Sequence, residues 1–489
     1  MEVKKEAGVL DSYQFTANQL TVTVTIQRVS ESYVPIYHLN TRTVSPTTEL
    51  VIERIRQDLI STVELGPVDI AEQKNPNALQ ARFDETVQKL VKKYFPDTDE
   101  KTLTFLHALV MQRSFGLGEL DTLMYDSQLE EVAVNNAEEP VWVYHRKWGW
   151  LRTNIQLKSE EQAKHYASSI GRKVGRQLNI LEPLMDANLA TGDRVNATLM
   201  PISAQGNTIT LRKFASKPWT ITDLISTGTI NVSAAAFIWE AIQYELSVLV
   251  SGGTATGKTS FLNALCTFFP PNQRIISIED TRELQLPKFL QWIPMVTRLP
   301  NQEGKGGVDM LALLVNSLRM RPDRILVGEI RRKREAEVLF EAIHTGHSVY
   351  ATVHANNAEE TITRLTNPPI EIPKSMLPAL SMIVVQTRNR RTGIRRTFQV
   401  AEITKESEPR VLMQYDLRKD KMTNLTHSRT IMDTLHLYTG ITSSELRSHL
   451  HEKEKILKWL VKKNINTVDG VGDVMAQYYT GGKLSKLLS

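Results

Sequence analysis

Two patterns of apolar and polar positions divide this chain. Gln19–Arg28 (QLTVTVTIQR) and Asn207–Phe214 (NTITLRKF) alternate residue by residue, which predicts strands with one buried face. Gln57–Leu65 and Asn77–Phe95 space their apolar residues as a helix does. Pro96–Asp99 then predicts a stop, and Glu100–Phe115 a further helix ended before Gly116 and Gly118. Glu130–Asn135 (EEVAVN), Pro140–Tyr144 (PVWVY) and Trp148–Leu151 read as short strands joined by turns, and Ser159–Gly175 as a helix.

The texture changes near Ala234. The stretch from Ala215 to about Gly228 carries Pro218 and several Ser and Thr, and reads as a linker. Beyond it, helix, apolar strand, glycine loop and helix follow one another to about Ile403, the order of a parallel sheet with crossover helices. A charged helical tail is expected after that, with Ser443–Lys463 and Val468–Tyr479 as its helices. The expected partition is an N-terminal region over 1–95, a mixed α+β domain over 96–215, a linker over 216–233, an α/β core over 234–405 and the tail over 406–489.

Composition narrows the function classes. At 489 residues the chain has room for roughly two to four domains. Aromatic residues make up only 7%, which argues against broad stacking platforms for single-stranded nucleic acid. The net charge of +5 permits an anionic partner without arguing for one. Cys266 is the single cysteine, which excludes an internal disulfide and a four-cysteine zinc site. A reducing, cytosolic compartment is expected, with Cys266 a buried helix thiol in the apolar stretch Phe261–Phe269. Met1–Glu6 has no long apolar region behind it and does not read as a secretory signal. No stretch reaches the ~18 apolar residues that would span a bilayer.

The chemistry gathers after Glu245. An apolar run leads into Gly252-Gly253-Thr254-Ala255-Thr256-Gly257-Lys258-Thr259, and Ser260–Phe268 continues with helical spacing. This is G-x-x-x-x-G-K-[ST] between a strand and a helix, the context a phosphate-binding loop requires. Glycines let backbone amides turn toward phosphate oxygens, and the helix adds its positive N-terminal end. Lys258 is expected to reach the β- and γ-phosphates and the Thr259 hydroxyl to ligate Mg²⁺, so ATP is the expected ligand.

Two later strand-like runs end in acids, Arg274–Glu283 at Glu279, Asp280 and Glu283, and Arg324–Arg331 at Glu329. In a parallel sheet, function collects at the carboxyl ends of strands, where such acids can hold the metal's water shell or orient an attacking water. Either run alone could be a strand ending in a solvated charge. Together, after a phosphate loop, they suggest a hydrolytic site. His347 and His354 flank the strand-like Ser348–Val353 and suggest sensors of the γ-phosphate or of a neighbouring domain.

The order of these boxes resembles the type II/type IV secretion ATPase superfamily, whose members drive type IV pili, type II secretion and the archaellum. The likeness rests on the phosphate loop, Ile278–Leu284 (IEDTREL), Ser317–Asp323 (SLRMRPD), Val327–Arg331 (VGEIR) and the two-histidine box. Upstream, Gly116–Leu123 (GLGELDTL), Glu130–Asn135, Gly192–Ala197 (GDRVNA) and Thr210–Phe214 (TLRKF) are similar to the family's second N-terminal domain. The resemblance covers roughly residues 100–405. It implies a RecA-like core and a homohexameric ring docked on an integral membrane platform at the inner face of the membrane. It implies that Glu283, or else Glu279, activates water, and that Glu329 serves the Mg²⁺ and water shell or is itself the base. It further implies that His347 and His354 couple nucleotide state to domain position, and that Arg194 and Arg212 reach a nucleotide at a domain or subunit interface. One cysteine departs from the tetracysteine module usual in bacterial pilus-extension members, and the boxes look most like archaeal ones. The rival reading is a RecA-like nucleic-acid translocase, supported by Arg331–Arg334 (RRKR) and Arg388–Arg396 (RNRRTGIRR). The second run is expected to form a hairpin tip with solvated charges, and no nucleic-acid partner is expected.

Overall fold

Alternation in Leu20–Arg28 buries Leu20, Val22, Val24 and Ile26 on one side of a strand and leaves the intervening threonines more exposed. That strand belongs to the first of two units, Met1–Ala215 and Ser216–Ser489, in a computed structural model. The structure describes residues 8–18, 20–30, 32–40, 44–62, 76–189, 191–214, 217–300 and 304–481. Met1–Glu6, the last three residues of Gln57–Leu65, and Ala215 lie outside the described residues.

The first unit is built on β1 (Gly8–Ala17), β2 (Leu20–Arg28), β3 (Ile36–Asn40), β4 (Leu129–Val134), β5 (Pro140–His145), β6 (Gly149–Gln156), β7 (Leu184–Asn188), β8 (Arg194–Thr198) and β9 (Thr208–Arg212). They form one sheet in the order β1-β2-β3-β6-β5-β4-β9-β8-β7. Only the β3–β6 pair is parallel among the described ladders of this sheet. The N-terminal strands therefore share a sheet with the region expected to start at residue 96. Buried Asp126 ties them in: its carboxylate accepts from Tyr13 Oη at 2.6 Å and Tyr37 Oη at 2.8 Å. Helices α1 (Pro46–Thr62), α2 (Pro76–Tyr94) and α3 (Glu100–Phe115) share a separate core around Ile52, Ile55, Val87, Val91 and Val110. Asp99 and Ser159 cap α3 and α5 (Glu160–Lys173). The short α4 (Glu119–Tyr125) joins α5 against the sheet through Leu120, Leu123, Ala163 and Ile170.

The second unit opens with α6 (Ile221–Ser226), inside the stretch expected as a linker. Thr220 and Asp223 form a capping box, and Ile221 and Leu224 are buried, so the serines and threonines there start a helix rather than loosen the chain. Then come α7 (Val232–Gln243), β10 (Val248–Gly252), α8 (Lys258–Cys266), β11 (Arg274–Glu279), β12 (Gln291–Val296), α9 (Met310–Ser317), β13 (Arg324–Val327), α10 (Lys333–His344), β14 (Ser348–Val353), α11 (Ala358–Thr366), β15 (Met382–Arg388) and β16 (Arg395–Ile403). The tail expected to be all helical begins with two strands, β17 (Pro409–Asp416) and β18 (Lys421–Asn424), before α12 (Thr430–Thr439), α13 (Ser443–Lys462) and α14 (Val468–Tyr479). Only Leu412 and Tyr415 of β17 are buried, which leaves too weak an alternation to announce a strand.

The sheet order is β12-β11-β13-β14-β10-β15-β16-β17-β18. From β12 to β15 every pair is parallel, and from β15 onward every pair is antiparallel. This is a RecA-like α/β core extended by a meander. Both faces of β10 are covered: Val248 and Val250 pack into one core with α7, α8 and the C-terminal helices, and Leu249 into another with α10 and α11. Cys266 is buried in the first of these.

Candidate functional site

Parallel strands put their carboxyl ends on one edge of the sheet, and the order β11-β13-β14-β10 decides which residues meet there. Glu279 ends β11, Glu329 follows β13, His354 follows β14, and the glycine loop follows β10. Four segments far apart in sequence thus reach one edge in a fixed sequence of neighbours.

The loop itself is shaped by its glycines. A Cβ at Gly252 would stand 2.5 Å from Thr256 Oγ1 and 2.6 Å from the Gln386 carbonyl oxygen, so no larger residue fits. Gly257 has φ +89° and starts α8 with no side-chain cap. The first amides of α8 are therefore open to an anion, reinforced by the helix dipole. Within the loop Thr256 Oγ1 donates to the Gly253 carbonyl at 2.8 Å. Ser251 Oγ anchors the preceding strand to the Ala355 carbonyl at 2.9 Å. Thr259 is half-buried, while Thr254, Ala255 and Ser260 are exposed.

Lys258 curls back over the loop. Its ammonium donates to the Gly253 carbonyl at 3.0 Å and to His354 Nδ1 at 3.2 Å. With Nδ1 accepting, the His354 proton sits on Nε2, which faces Glu329 Oε1 at 2.9 Å. Burial and the nearby Lys258 ammonium lower the His354 pKa, which favours this neutral tautomer. Burial also lowers the Lys258 pKa, against the attraction of Glu329 and Glu283. The other Glu329 oxygen accepts from Arg331 Nε at 2.9 Å and Nη2 at 2.7 Å. Arg331 Nη1 donates to Asp280 at 2.6 Å, and Asp280 also takes Thr297 Oγ1 at 3.1 Å. One continuous chain of contacts runs from the loop lysine to the acid segment after β11.

Glu279 and Glu283 stand differently. Glu279 is buried, and its Oε1 accepts the amides of Glu283 at 2.9 Å and Leu284 at 3.0 Å. Its Oε2 is buried without a hydrogen-bond partner among the described residues. Burial pushes its carboxyl up to about 7, against the pull of those two amides. Glu279 thus staples the turn that presents Glu283, and Glu283 itself is exposed.

The remaining expected residues are held by other elements. His347 precedes β14, so a whole strand of about 20 Å separates it from His354. Its Nδ1 stands 3.1 Å from the Ala342 carbonyl and from Thr345 Oγ1. Arg194 and Arg212 are neighbours on β8 and β9 of the first unit. Arg194 makes a two-pronged ion pair with Asp186, at 3.0 and 2.6 Å. Arg212 pairs across the ladder with Glu131.

Sequence reasoning missed Asp280 as the partner of Arg331 and missed Arg395. The RNRRTGIRR run does form a hairpin between β15 and β16, but Arg395 Nε donates to the Ala255 carbonyl at 3.1 Å. Arg396 is engaged by Asp420 at 2.9 and 3.2 Å. No short motif announces these contacts, because they depend on β15 lying beside β10.

Comparison with known proteins shows which family the chain resembles. The family model described as type II/IV secretion system protein matches residues 155–431. An uncharacterized protein of Methanocaldococcus jannaschii is 32% identical over 397 residues, covering 79% of this chain and 71% of its own. The type IV secretion system protein PtlH of Bordetella pertussis is 29% identical over 315 residues, covering 58% of this chain and 92% of its own. Among solved structures, the ATPase DotB of Legionella pneumophila matches 73% of this chain and 94% of its own at 18% identity, with a TM-score of 0.43.

Proposed function

Because the chain belongs to the type II/IV secretion system protein family, we propose that it is a Mg²⁺-dependent ATPase that works as a homohexameric motor. Its work is assembly of a type IV pilus-like or archaellum-like filament, or type II-like secretion. The observation that carries this reading is the chain Lys258–His354–Glu329–Arg331–Asp280 beside a glycine loop and an uncapped helix start. A static structural lysine needs no such connection to the acids two strands away.

The loop amides of 252–260 and the Lys258 ammonium bind the nucleotide's phosphates. Binding draws Lys258 off the Gly253 carbonyl and His354, which frees His354 to report on the phosphate. The Thr259 hydroxyl would hold Mg²⁺, and the Glu329 carboxylate, occupied by His354 and Arg331, would serve the metal's water shell. When bound, the metal neutralises charge on the phosphates. Glu283 is the base, held in place by the Glu279 staple, and Glu329 orients water while paired to His354 and Arg331.

Arg194 and Arg212 complete the site from outside the core, in the ring. His347 couples to the neighbouring domain. Among the described residues no helix is long and apolar enough to cross a membrane. We place the motor on the inner face of the cell membrane, docked on an integral platform protein, with residues 1–95 carrying part of the docking. The name of PtlH, a type IV secretion system protein, supports membrane machinery as the partner. Against the nucleic-acid reading, Arg396 of that run is engaged by Asp420. The test is ATP turnover and particle size measured together across protein concentration. Turnover that rises with ring formation supports the motor, and a fully active monomer overturns it.

A further inference from the structure

The γ-phosphate chemistry lies on one side of the glycine loop, toward β14 and β13. The other side of β10 is β15, followed by β16. That side carries one cation placed on the loop itself. Arg395, the first residue of β16, donates its Nε to the Ala255 carbonyl at 3.1 Å. A Cβ at Gly257 would stand 3.4 Å from Arg395 Cδ, so the arginine stem lies along the start of α8. Its position is fixed from behind. Arg396 is held by Asp420 at 2.9 and 3.2 Å and donates to the Thr227 carbonyl at 3.2 Å. No carboxylate neutralises Arg395 among the described ion pairs, and its two terminal amino groups have no partner among the described residues.

Resting on the ATPase reading above, we infer that Arg395 grips the nucleotide on its α/β-phosphate side, so that it sets affinity for both ATP and ADP rather than the rate of hydrolysis. The loop amides cradle the α- and β-phosphates, and the loop lysine reaches the β- and γ-phosphates. Lys258 leans toward His354 and Glu329, so the arginine on the opposite flank faces the end of the nucleotide that does not react. A contact equally strong in ground and transition states changes binding without changing the chemical step. Arg395 touches Ala255 through Nε alone, a bond that aims the fork and leaves both amino groups for two oxygens.

The test compares wild type, Arg395→Ala and Arg395→Lys as full-length chains. Affinity is measured for Mg-ADP and Mg-ATP, and kcat and KM for turnover. Arg395→Ala is expected to weaken both nucleotides on the order of tenfold and to raise KM by the same factor, with kcat within about twofold of wild type. Arg395→Lys, which keeps the charge and loses the fork, is expected to recover part of the affinity. Loss of kcat with unchanged ADP affinity would overturn the inference, since the arginine would then act on the transferring phosphoryl group. Equal affinities in wild type and Arg395→Ala would also overturn it while leaving the ATPase reading intact. Failure of wild type to bind either nucleotide would overturn both. Far-ultraviolet circular dichroism of each variant excludes unfolding as the cause.

Discussion

Replacing Glu279 by Gln separates holding the acid turn from performing chemistry. Gln keeps a carbonyl oxygen for the Glu283 and Leu284 amides, and it cannot ionise. Wild-type Glu279 has its carboxyl raised from 4.5 to about 7, chiefly by burial. Between those values the folded protein holds a proton that the unfolded chain has released. Stability is therefore greatest below the unfolded value and is lost as pH rises through the folded one. A rise from 4.5 to about 7, at 1.36 kcal/mol per unit, amounts to about 3 kcal/mol by about pH 8. Urea unfolding at about pH 5 and about pH 8 reads this directly. Glu279→Gln should lose about 2.5 kcal/mol less than wild type between those conditions, because the unfolded carboxyl is already partly ionised at pH 5, and its ATP turnover should stay within a few-fold of wild type. Equal losses in the two proteins would refute the buried, proton-holding carboxyl. Turnover crippled as deeply as in Glu283→Gln would refute the staple and make Glu279 part of the chemistry.

Three further outcomes follow from the same geometry. Glu283→Gln and Glu329→Gln should each cut turnover on the order of 10²-fold or more while Mg-ADP affinity stays nearly unchanged, as binding and kinetic measurements on one preparation will read. Arg194→Ala and Arg212→Ala should stay folded and bind ATP yet lose the concentration-dependent part of turnover; if they melt earlier and hydrolyse normally, the pairs with Asp186 and Glu131 are only braces. Deleting residues 1–95 removes Tyr13 and Tyr37 from buried Asp126 and uncovers the β6 edge. Calorimetry should show the first unit melting earlier, and an unchanged melting profile would contradict the shared sheet.

Much of the core was legible because its signals are local. Gly252–Thr259 needs glycines and a lysine at fixed spacing whatever surrounds it, and Glu100–Phe115 carries its own cap and stop. What stayed hidden depends on contacts across the sheet. His347 and His354 look equivalent in sequence, yet β14 carries them to opposite ends, and only His354 meets Lys258. Glu279 and Glu283 look like two exposed acids, but burial turns one into an internal acceptor. The membership of β1–β3 in the β4–β9 sheet rests on the short parallel pair of β3 with β6, separated by more than a hundred residues. Thr220 and Asp223 form a capping box in the structure, inside a stretch whose serines and proline suggest a linker.

The most direct measurement is Mg-ATP turnover by full-length Lys258→Ala beside wild type, with nucleotide affinity read on the same samples. Removing the ammonium deletes a charge-assisted contact to the transferring phosphoryl group and the link through His354 to Glu329. The account predicts a wild type that hydrolyses ATP and a folded variant slower by on the order of 10²-fold or more. A variant that turns over ATP at nearly the wild-type rate would contradict it.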